Sequence, residues 1–131
     1  MAQSKNLIMA YDPNTVRNFI VGAADIVPYT LYVRDANGLL VQAGADDVGV
    51  LWMPLTAEKA GKPVAAALAG AGNTFIVTAG GAITRSAAAR GGVQVAAGGV
   101  VIALAAGRFQ GCVEDTAANT ELCSVTFWPT A

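Results

Sequence analysis

The stretch Asn73–Gly107, NTFIVTAGGAITRSAAARGGVQVAAGGVVIALAAG, decides how the rest of the chain is read. It is a series of short runs, Phe75–Thr78, Ile83–Thr84, Val93–Val95 and Val100–Leu104, separated by Gly80-Gly81, Gly91-Gly92, Gly98-Gly99 and Gly107. β-Branched and aromatic residues suit the pleated, half-buried surface of a strand, and glycine pairs supply the positive φ that tight turns require. The small residues between the runs let backbones and neighbouring surfaces approach closely. Nothing in the stretch carries catalytic chemistry, so it reads as scaffold and contact surface.

Working outward, Val27–Arg34 reads as a strand with Pro28 near its start, where a missing N–H costs least. Asn37-Gly38 is the strongest hairpin signal in the chain, with Leu39–Gln42 as the return strand. Val48–Met53 is a further apolar run ended by Pro54, Thr56–Ala60 a short turn, and Val64–Leu68 an alanine-rich strand. Arg108–Glu114 and Leu122–Trp128 are two more strands, joined by the polar loop Asp115–Glu121. Roughly eight to ten short strands with regular turn signals, and no long helix, predict one small all-β domain, a barrel or sandwich over residues 25–131. A weak internal echo accompanies this. A glycine, a short strand, a Thr-Ala loop and a closing strand run from Gly49 to Leu68 and again from Gly111 to Phe127. The spacings differ, so the echo reads as similar supersecondary structure rather than as a repeat.

Residues 1–24 differ from the remainder, being more polar and nearly free of glycine. Asp12-Pro13 or Asn14 is placed to cap a short helical turn through Val16–Phe19. Two readings fit this segment: an extended arm that orders on a partner and is dispensable for the fold, or an extra edge strand with a frayed end. The first residues have no continuous apolar run, which argues against a signal peptide, and no segment has the roughly 20 apolar residues of a membrane span.

Composition narrows the function. Only 13% of residues are charged, against about 25% in a usual soluble domain, while 54% are hydrophobic and 27 are alanine. A surface with so few charges is expected to be covered in part by other chains. The net charge is −1 and the eight basic residues are scattered singly, which excludes a phosphate-binding patch and argues against a nucleic-acid partner. There is no histidine, so the commonest general base and metal ligand is missing, and Ser4, Ser86 and Ser124 have no activating partner beyond Lys5 next to Ser4. Asp46-Asp47 and Glu114-Asp115 lack the interleaved ligands of a calcium loop, and Gly70-Ala71-Gly72 and Gly61-Lys62-Pro63 fail as phosphate loops. Cys112 and Cys123 are too few for a zinc site; a hairpin could set them near enough for a bridge, but strand parity turns Cys123 inward with Val125 and Phe127 and leaves Cys112 outward, so two reduced thiols are the expectation. No enzyme, cofactor or metal is expected. Aromatics anchor interfaces, which makes Tyr11, Tyr29, Tyr32, Trp52 and Trp128 candidate contacts beside their ordinary role in a core.

The order of elements resembles the small Ala/Gly-rich capsid decoration (cement) proteins of tailed bacteriophages. The likeness rests on TLYVR at Thr30–Arg34, a GVL-type strand at Val48–Leu51 and AEKAGKPV at Ala57–Val64. It continues with TAGGAIT at Thr78–Thr84 and GRFQGCVEDTAANTELCSVTF at Gly107–Phe127. The resemblance implies a β-tulip-like domain without enzymatic activity, made in the host cytoplasm and carried on the outer surface of the virion head. There it would bridge major capsid proteins, as a homotrimer. Tyr11, Arg17, Phe19 and Trp52 are the residues expected to make capsid or subunit contacts. The alternative is a tail, fibre, receptor-binding or carbohydrate-binding β-module of a virion.

Overall fold

The computed structural model describes residues 7–45, 50–86 and 89–128. Ten strands alternate with short turns and two 3-10 turns, and there is no α-helix among the described residues. The strands are β1 Val16–Ile20, β2 Tyr32–Arg34, β3 Leu40–Gln42, β4 Trp52–Pro54, β5 Pro63–Leu68, β6 Thr74–Thr78, β7 Gly92–Ala96, β8 Val100–Ala103, β9 Gly111–Val113 and β10 Leu122–Phe127. The all-β expectation holds. Two five-stranded antiparallel sheets form, in the orders β1-β5-β4-β2-β3 and β6-β10-β9-β7-β8.

Those two orders are one order repeated, and the repetition extends to the register. Phe19 opposes Val64 across β1 and β5 as Val77 opposes Cys123 across β6 and β10. Tyr32 opposes Gln42 and Trp52 as Val93 opposes Ala103 and Gly111. Each sheet then curls until its first and third strands meet through a parallel bridge, Val21 with Leu40 in one and Ala79 with Val101 in the other. The bridging amides match as well: Gly22 N–H donates to Leu40 O at 2.9 Å, and Gly80 N–H donates to Val101 O at 2.7 Å. The two halves are thus a complete tandem repeat of two small half-barrels, not merely similar supersecondary structure, and its register matches Gly111 to Trp52 rather than to Gly49, which lies outside the described residues.

Each repeat fills its interior from the same seven positions. In the first they are Phe19, Val21, Ile26, Tyr32, Leu40, Val64 and Ala66. In the second they are Val77, Ala79, Ile83, Val93, Val101, Cys123 and Val125, and these belong to the larger core that spans both repeats. The alternation seen in sequence produces this directly, since β6 and β7 bury every second residue. The second face of the first sheet, with Leu31, Ala43, Leu51, Met53 and Ala67, packs into the same joint core as Phe75, Val95 and Phe127. At that seam Leu31 N–H donates to Gly99 O at 2.8 Å and Gly99 N–H donates to Ala43 O at 3.0 Å. A Cβ built on Gly99 would lie 2.5 Å from Leu31 O, so the backbones meet only because this residue has no side chain.

Several sequence expectations are corrected. Asp12 does cap a helical turn, accepting from Asn14 N–H at 2.9 Å, but the turn is Pro13–Thr15 and Val16–Ile20 is an edge strand. Extending the turn through Val16 and Phe19 would have sacrificed β1 pairing and the burial of Phe19. A deletion through residue 20 would therefore remove a strand, not a dispensable arm. The Val27–Arg34 strand begins only at Tyr32, because Tyr29 takes a left-handed φ of 62° and turns the chain. Val48–Met53 is realised as Trp52–Pro54, with residues 46–49 outside those described. Ile83–Thr84 makes only a single bridge to Ala117, and Arg108–Glu114 contracts to Gly111–Val113.

Two positions give a direct test of the repeat. Gly61 and Thr120 both donate to the first-strand bridge residue, Val21 O and Ala79 O, and both adopt left-handed φ, 79° and 69°. Thr120→Gly is expected to raise stability by roughly 0.5–1 kcal/mol, since a left-handed non-glycine residue costs about 1–2 kcal/mol and glycine returns part of this as chain entropy. At the seam, Gly99→Ala is expected to cost roughly 3 kcal/mol through clash and left-handed strain, whereas Gly38→Ala, at the equivalent turn with nothing within 4 Å, loses only the strain, about 1 kcal/mol. Urea unfolding of the three variants measures both contrasts.

Candidate interaction surface

Among the described residues no group of three His, Cys, Asp or Glu side chains is placed to hold a metal. Cys112 and Cys123 are free thiols, and Cys123, buried, donates to Val77 O at 3.4 Å. The buried polar residues are structural: Asn73 accepts from Asp12 N–H and donates to Leu68 O and Thr15 Oγ1, tying the N-terminal turn to the β5–β6 connection. One carboxyl, exposed Asp25, is held below its ordinary pKa, chiefly by the hydrogen bond from Ala60 N–H and then by Lys59 at 3.6 Å. That is a loop clasp. Asp46, Asp47, Ser4 and Lys5 lie outside the described residues.

Surface features are more informative. Three of the four expected contact residues, Arg17, Phe19 and Trp52, converge on one open cleft of about 530 Å³ at the end of the first half-barrel. Arg17 and Phe19 stand two apart on β1 and so share a face, opposite Trp52 on β4. Phe19 and Trp52 meet edge to face with ring centroids 4.8 Å apart. Arg34, which the sequence did not single out, completes the cleft with its guanidinium carbon 5.9 Å from the Phe19 centroid. A lone arginine at a strand end next to a turn reads as solvated, which is why it escaped notice.

The cleft is electropositive. Among the described residues Arg17 donates to backbone carbonyls, Asn14 O at 3.0 Å and Val16 O at 2.9 Å. No acidic side chain lines the cleft among the described residues, and the one ion pair among them joins Lys59 to Asp25. Two guanidiniums over an aromatic floor suit a carboxylate or carbonyl-rich segment of a partner.

Tyr11 lies elsewhere. Its ring stacks on Phe75 at 6.0 Å, and the segment before it runs along the second repeat, with Ala10 bridging Thr74 and Ile8 N–H donating to Ser124 Oγ at 2.6 Å. Leu7, Ile8 and Met9 remain exposed along that path. A second open face belongs to the second repeat: Leu104 and Trp128 are 41% and 49% exposed, and Trp128 tilts against Phe109 at 5.2 Å, beside a cleft of about 510 Å³ that includes Cys112.

No family model and no curated protein matches the sequence. Among solved structures, the chain is similar to the N base of head fiber gp8.5 of bacteriophage phi29, with a TM-score of 0.65 over 86% of this chain and 93% of that one. Sequence identity is 13%, so the likeness is one of fold.

Truncation separates the roles of the cleft residues. Phe19→Ala, which removes a buried ring from under Trp52, is expected to lower stability by about 3 kcal/mol or more. Arg34→Ala is expected to cost no more than about 1 kcal/mol, the worth of an exposed cation–π contact. Chemical denaturation of each variant reads the difference; equal losses would mean that Arg34 serves the fold.

Proposed function

We propose that this chain is a non-enzymatic structural protein of a tailed-phage virion, docked on the exterior of the assembled head, where it bridges neighbouring major capsid proteins. The observation that carries the proposal is the fold shared with a phage head-fibre base over nearly the whole of both chains. The sparse charge and the order of elements resembling the decoration proteins support the same reading. A protein that binds only the mature lattice stabilises it by linkage, and many weak copies acting together multiply the effect. The proposed partners are the major capsid protein and other copies of this chain, as a homotrimer, without nucleic acid or membrane.

The same structural likeness favours a second reading, in which the domain is the capsid-bound base of a fibre. Both place the chain on the head; they differ in whether anything is carried outward.

Cosedimentation with expanded heads stripped of their surface proteins, and with unexpanded procapsids in parallel, is the deciding measurement. Saturable binding to expanded heads alone is expected, with removal of residues 1–9 weakening it while β1 stays intact. Absence of binding to either particle refutes the head-docking proposal.

A further inference from the structure

The two repeats meet head to tail, with different faces in contact. The face of the first repeat that carries Leu31, Ala43 and Met53 covers the open end of the second, where Phe75, Val95 and Gly99 sit. In the first repeat the positions matching Phe75, Val95 and Gly99 are Arg17, Arg34 and Gly38, fixed by the common register. These line the open cleft, and nothing lies within 4 Å of a Cβ built on Gly38. In the second repeat the positions matching Leu31, Ala43 and Met53 are Gly92, Leu104 and Cys112, and these line the other open face. One heterologous contact is therefore used inside the chain, and both of its complementary surfaces recur uncovered.

We propose that a second copy of this chain covers the Arg17–Arg34 cleft with its Leu104–Trp128 face, repeating between chains the contact that joins the repeats within one. Continuity with the internal seam is the first support. Charge is the second. The internal seam is apolar, whereas its open counterparts carry Arg17 and Arg34 on one side and Glu114 on the other. Glu114 occupies the position of Leu55, as their matching bonds to Ser124 O and Ala65 O show. Leu55 shares a cleft with Ile76, whose counterpart is Asn18, so docking places Glu114 of the next copy against Asn18, the neighbour of Arg17 in β1. Arg90, which lines the same face, matches Tyr29, whose carbonyl accepts from Thr78 N–H, and falls against Ile20. A heterologous contact closes into a ring when its rotation divides a full turn and otherwise continues as a filament.

The inference does not depend on head docking and is tested on the free protein. Native mass spectrometry is expected to show multiples of the 13.2 kDa chain. Arg17→Glu/Arg34→Glu on the cleft and Leu104→Glu on the face are each expected to give monomers, since all three side chains are exposed. Mixed one to one, the two variants are expected to pair into a dimer and stop there, because each retains one intact surface. Should Leu104→Glu disturb the circular dichroism spectrum, Trp128→Ala replaces it with the same expected outcomes. A monomeric wild type, variants that assemble unchanged, or a mixture that stays monomeric each overturns the proposal.

Discussion

The backbone contact between Leu31 and Gly99 governs how this molecule is completed. The two half-barrels share topology but not the means of filling their open ends. The first floors its own with Phe19 and Trp52 packed edge to face and leaves the cleft above them open. The second has Gly111 where the first has Trp52, and a Cβ there would lie 2.2 Å from Thr126 O, so no ring can enter from that strand. Its interior is built from valine, alanine, isoleucine and cysteine, and it is finished only by Phe75, Phe127 and the covering face of the first repeat. Full burial of residues of that size is worth about 1.5–3 kcal/mol each, and most of it depends on the seam. Gly99 permits the seam to close.

Much of the second repeat was legible in sequence because β6 and β7 alternate cleanly between buried and half-buried residues. The first repeat was harder to read. Tyr29 lies inside a continuous β-type run yet takes a left-handed turn, and Asp12 caps a turn that ends at Thr15, before the Val16–Phe19 residues it was expected to include. The duplication itself was nearly invisible. A barrel interior demands volume and polarity rather than identity, so Phe19 matches Val77 and Tyr32 matches Val93. Gly22 and Gly80 persist because a Cβ at either would approach a valine at 2.9 and 2.5 Å.

The candidate surface was legible in part for a similar reason. Aromatic residues and arginine in a charge-poor chain mark contacts, and Arg17, Phe19 and Trp52 do come together. Their convergence needed β1 to be a strand at the edge of the first sheet, which the expected helical turn denied. Tyr11 could not be placed by the same logic, because its neighbour Phe75 belongs to the other repeat.

The tandem arrangement also bears on synthesis. The first repeat contains all five of its own strands by Leu68 and can close before the second is made. Until β6–β10 emerge, its Leu31, Leu51 and Met53 face has nothing to cover it, on a ribosome adding about 5–20 residues per second. Nascent chains on one polysome thus present to each other the same surface that the mature seam hides. The alanines at 43, 67 and 69, which keep that face shallow, limit how firmly a wrong neighbour can hold it.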